Sequence, residues 1–62
     1  MEQKEMSTSE KVILELYRKK MTQKQLAEKL DITTISVCYK IKNNTWKIGE
    51  IAFMKYELNF DL

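Results

Sequence analysis

Sixty-two residues with eleven basic against nine acidic side chains, net charge +2, make one small domain whose charge is too slight to name a partner. With no histidine and only Cys38, the chain can build neither an internal disulfide nor a metal site of the usual nitrogen and sulfur kind. It lacks a phosphate-cradling glycine loop and has little bulk for a pocket, so it is not expected to be an enzyme or to need a cofactor.

Zero prolines and a single glycine, Gly49, predict an all-α chain, and no β-branched alternation points to strands. Residues 1–7 are polar and expected to fray. The stretch MEQKEMSTSEK has no apolar centre for a secretory signal, and charges interrupt every apolar run, so a cytoplasmic location is expected. The first helix is predicted over about 9–19. Ser7, Thr8 and Ser9 offer N-caps, Glu10 suits the first turn, and Arg18, Lys19 and Lys20 complement the far end. Val12, Ile13, Leu16 and Tyr17 supply its predicted inner face, and Met21 anchors the connection that follows.

Thr22 and Gln25 have the spacing of a capping box and open a second helix, about 22–30. Its apolar stripe is Leu26, Ala27 and Leu30, with Ala27 small enough for a close helix crossing. After Asp31-Ile32-Thr33 a third helix, about 33–42, carries Val37 and Ile41 inward. Asn43-Asn44 ends it, because asparagine tolerates the left-handed conformation. Trp46 is expected to pack on the core rather than stack on a base. A fourth helix is predicted over about 48–58 on Ile51, Ala52, Lys55 and Leu58, with Met54 filling a core gap. Two short helices around a tight turn form a helix-turn-helix.

Charge is unevenly placed along the chain. Between Arg18 and Lys47 eight bases meet two acids, net +6, whereas residues 1–17 and 48–62 each come to −2. A phosphate-facing surface requires such a concentration; a solvated lysine-rich face is the plainer reading of any one residue.

The segments MTQKQLAEKLDIT, VCYKIKNN and WKIGEI together resemble the small phage repressors and Cro proteins of the XRE-type helix-turn-helix family. The resemblance runs from about Val12 to Leu58. It implies a four- to five-helix lambda-repressor-like domain that binds operator DNA as a transcription regulator, commonly as a homodimer. It also implies that Thr34, Ile35, Ser36 and Tyr39 face bases in the major groove. Gln23, Lys24, Thr33, Lys40, Lys42 and Lys47 are then expected at phosphates, with Gln23 alternatively bracing the recognition helix. Setting Val37 and Ile41 inward independently turns Ile35, Tyr39 and Lys42 outward.

Three positions depart from the family pattern. Asp31 stands in place of a turn glycine, and Lys47 in place of a capping threonine or serine. The outer face of the third helix has none of the arginine, glutamine and asparagine pairs that read bases bidentately. Ile35 and Tyr39 would equally suit the centre of a protein interface, so a module that docks on a repressor protein is the alternative. Cys38, with no base beside it, is expected to be a semi-buried hydrophobe. The tail Phe60-Asp61-Leu62, with Tyr56 and Leu58, is expected either to form the dimer surface or to fold back on the core.

Overall fold

The computed structural model describes residues 6–62. Four helices in chain order, α1 (Thr8–Arg18), α2 (Gln23–Leu30), α3 (Thr34–Asn43) and α4 (Ile48–Tyr56), make up its regular structure, with no strand among the described residues. None of these helices is long and apolar enough to cross a membrane. Each boundary lies within two residues of its predicted place, as helix ends usually do.

Side-chain chemistry sets three of the four helix starts. Ser7 caps α1: its hydroxyl accepts the Glu10 N–H at 3.2 Å, and its own N–H donates to Glu10 Oε1 at 2.7 Å. Ser7 therefore belongs to the helix entry, against the expected fraying, and residues 1–5 lie outside the described residues. Thr22 and Gln25 form the same reciprocal pair at α2, at 3.0 and 2.8 Å. Thr33 accepts the Ser36 N–H at 3.1 Å to start α3. Lys47 has no acceptor to offer α4, so only half a box forms there, Lys47 N–H to Glu50 Oε1 at 2.9 Å.

A left-handed residue follows every helix: Lys20, Asp31, Asn44 and Asn59, with φ of 53, 60, 54 and 59°. None is glycine, so each carries backbone strain, least for asparagine and aspartate. The one glycine, Gly49, sits inside α4, where an added Cβ would meet nothing within 4 Å. Gly49→Ala is therefore expected to raise stability by about 0.5–1 kcal/mol. Chemical denaturation by urea should show a higher midpoint with an unchanged slope.

The core draws on every element: Val12 and Leu16 from α1, Leu26 and Ala27 from α2, Val37 from α3, Met54 from α4, and Phe60 beyond it. Met21, Leu30, Ile32, Ile41, Trp46, Leu58 and Leu62 pack around these. Each large side chain fully buried this way contributes about 1.5–3 kcal/mol. The stripes predicted for α2 and α3 are the buried ones.

On α1 the inner face is turned from its predicted position. Ile13 and Leu14 are exposed, Tyr17 is 84% exposed, and the buried set is Ser9, Val12, Glu15 and Leu16. Apolar residues stand on both sides of this helix, so periodicity alone could not tell which side faces inward. Arg18 and Lys19 reach the two oxygens of buried Glu15 at 3.1 and 3.7 Å.

The tail takes the folded-back course. The Phe60 N–H donates to the Met54 carbonyl at 2.9 Å, and the Lys19 ammonium lies 5.9 Å from the Phe60 ring centroid. Lys11 Nζ donates to the Leu62 carbonyl at 3.1 Å. Of the residues expected at a dimer surface, Tyr56 remains exposed whereas Phe60 is buried, with Leu58 and Leu62 against the core.

Candidate nucleic-acid interface

α3 packs against α2 and α1 through Val37 and Ile41, which leaves its opposite ridge in solvent. Ile35 is 81% exposed and Tyr39 61% exposed. Lys42 continues the line at i+7 and is exposed as well. Thr34 is exposed at the first turn, and the helix end there presents unpaired amides of the kind that hold a phosphate oxygen.

The remaining predicted positions divide by how firmly they are already engaged. Ser36 is half-buried and occupied with the cap, since the Thr33 hydroxyl donates to its Oγ at 2.9 Å. Gln23 is tied to α3: its Oε1 accepts the Cys38 S–H at 2.8 Å, a link between α2 and α3 on the exposed side. Lys24, Lys42 and Lys47 are exposed. Lys40 is different. Its ammonium lies 3.1 Å from Glu50 Oε1, and its side chain is only 13% exposed. That carboxylate also takes the Lys47 N–H, so Glu50 joins α3 to the start of α4. Lys40 is thus removed from the set of cations free to meet a phosphate.

Cys38 is exposed and bonded to Gln23, which corrects its reading as a semi-buried hydrophobe. Helical spacing places it at the margin of the Ile35–Tyr39–Lys42 ridge, about 60° from Ile35. No signal in local sequence marks the partnership with Gln23, fifteen positions earlier.

Between the ridge and the following loop lies a shallow depression of about 470 Å³, lined by Ile35, Ser36, Tyr39, Lys40, Thr45 and Lys47. Thr45 is the lining residue absent from the predicted positions; like Lys47 it stands outside any helix, where periodicity gives no signal. The depression is mostly apolar.

The orientation of α3 rests on a second, internal site. Trp46 Nε1–H donates to Ser9 Oγ at 2.9 Å. The Ser9 hydroxyl lies 3.1 Å from the Lys40 carbonyl and 3.0 Å from Asn44 Oδ1, and its single proton serves one of them at a time. The Ser9 N–H donates to the same Asn44 oxygen at 3.1 Å. Ser9 was a candidate N-cap by sequence. Instead it is the buried pin between the first turn of α1 and the last turn of α3, and Trp46 packs as expected.

Chemically, the ridge can offer a tyrosine hydroxyl, an isoleucine side chain able to meet a thymine methyl, and lysine charge to phosphates. Among the described residues no group of three or more metal-ligating side chains comes together. No family model, curated protein or solved structure matches the chain.

Proposed function

We propose that this domain is a sequence-specific DNA-binding transcription regulator of the phage Cro or repressor type, with α3 lying in the major groove. One observation carries the reading: an exposed helical ridge, Ile35–Tyr39–Lys42, in the segment where the positive charge of the chain is concentrated. Thr34, Ile35 and Tyr39 would meet base edges, with Ser36 at the rim. Lys24, Lys42 and Lys47 would fix the register on phosphates. A homodimer on a two-fold symmetric operator fits the few base contacts that one such domain can make.

The test is fluorescence anisotropy of labelled duplexes across a salt series. Three lysines from each subunit of the dimer on phosphates give a log–log salt slope of about −5.4. Lys42→Ala removes one contact per subunit, so it should shrink that slope by about 1.8 and weaken binding alike on all sequences. Lys40→Ala should leave the slope unchanged, because its charge already sits on Glu50. Absence of binding at low salt, or a slope that Lys40→Ala reduces as much as Lys42→Ala, would refute this assignment.

The apolar depression beside Ile35 and Tyr39 favours a second reading, a module that docks on a repressor protein through the same ridge. A complex that persists as salt rises, with no affinity for DNA alone, would select it.

A further inference from the structure

The outer side of α1 is apolar without being core. Ile13, Leu14 and Tyr17 stand exposed there, and with Met6 and Glu10 they line a shallow groove of about 410 Å³. Scattered exposed apolars need no explanation, but a contiguous set on one helix face marks an interaction surface. The arrangement of charge on that face indicates what covers it.

Glu10, Leu14 and Arg18 follow one another at i, i+4 and i+8, so they form a single ridge along α1. All three are exposed: Glu10 uses Oε1 on the Ser7 N–H and Arg18 uses Nη1 on Glu15, but unlike the enclosed Lys40 each keeps its remaining oxygen or nitrogens for a second partner. The ridge is acidic at its start, apolar in the middle and basic at its end. Laid parallel against a copy of itself, it would set Glu10 on Glu10 and Arg18 on Arg18. Laid antiparallel about Leu14, it sets Glu10 on Arg18 twice and brings the two Leu14 side chains together, with Ile13 and Tyr17 alongside. A two-fold axis requires this kind of self-complementarity.

We propose that the partner of this face is a second copy of the chain, joined through antiparallel α1 helices with the two-fold axis at Leu14. The buried tail leaves this surface as the apolar face open to a symmetric partner on the first helix. One face of an 11-residue helix is smaller than the roughly 800 Å² per partner of a standard interface. The dimer is accordingly a weak one, seen as a mass that rises with concentration. It does not depend on the DNA reading, since it is measured without DNA.

Sedimentation equilibrium of the full chain between about 1 μM and about 1 mM is the first experiment. A shift from monomer to dimer is expected across that range. Leu14→Glu, which sets two carboxylates on the axis, should raise the dissociation constant about tenfold or more while the helical circular dichroism is unchanged. A second measurement fixes the register even if that variant folds poorly. In a Cys38→Ser background, Leu14→Cys should be joined to its copy by a short thiol cross-linker, whereas Tyr17→Cys, displaced from the axis, should be joined far less. A chain that stays monomeric throughout the range overturns the proposal. So does a dimer that Leu14→Glu leaves intact, or equal cross-linking at both positions.

Discussion

Replacing Met54 by alanine is expected to take away much of the stability of the domain. Met54 is fully buried and is the only residue of α4 in the buried set. Its carbonyl also receives the Phe60 N–H that turns the tail back. The variant loses the transfer energy of the side chain and leaves a cavity where α4 meets the rest, costing about 2–5 kcal/mol. A chain of 62 residues holds only about 3–9 kcal/mol in total. Thermal circular dichroism should show the midpoint fall by at least about 8 °C. Ile48→Ala on the same helix is the control. Ile48 is 86% exposed, and its loss should change stability by no more than about 0.5 kcal/mol. Equal shifts for the two variants would mean that α4 does not anchor through Met54.

The second large effect is expected at Ser9. Removing its hydroxyl with Ser9→Ala deprives Trp46 Nε1–H of its acceptor and cuts one link to the last turn of α3. An unsatisfied buried donor costs about 1–3 kcal/mol. Trp46→Phe keeps an aromatic ring, though a smaller one, and removes the donor, so the hydrogen-bond part of the two losses is shared and the changes should not add. A double-mutant cycle should return a coupling of about 0.5 kcal/mol or more. Strict additivity would sink the idea that Ser9 and Trp46 act as one pin. Because Trp46 is the only tryptophan, its fluorescence reports the loosened packing directly. Ser9→Ala should also loosen α3 enough to weaken any ligand on its outer ridge.

Much of the architecture could be read from local chemistry, and the reason is that short-range rules decided it. The Thr22–Gln25 capping pair, the Leu26–Ala27–Leu30 stripe, the inward Val37 and Ile41, and the left-handed Asp31 and Asn44 all depend on residues a few positions apart. What could not be read depends on distant pairing. Ser9 meets Asn44 and Trp46 across 35 and 37 positions. Lys40 was expected at a phosphate, but α4 brings Glu50 to it. Ile13 and Tyr17 were placed inward because their spacing allowed it, yet the helix turned Glu15 to the inside instead. A buried carboxylate is a poor guess by composition, and its two cationic partners make it tolerable. Of the candidate site, the ridge itself was legible, but the state of each polar residue on it was not.

The four left-handed residues at the helix exits have a consequence for how this chain can change. Asn44 also takes part in the Ser9 pin that orients α3, but Lys20, Asp31 and Asn59 hold strain in the backbone, and none of the three belongs to the Ile35–Tyr39–Lys42 ridge. Changes at these three exits would therefore adjust how firmly the domain stays folded while the ridge keeps the surface it displays. Away from the Ser9 pin, the surface of the ridge and the firmness of the fold are set at separate addresses along the chain. A lineage could thus explore new side chains on the ridge and recover lost stability at a helix exit, without one search obstructing the other.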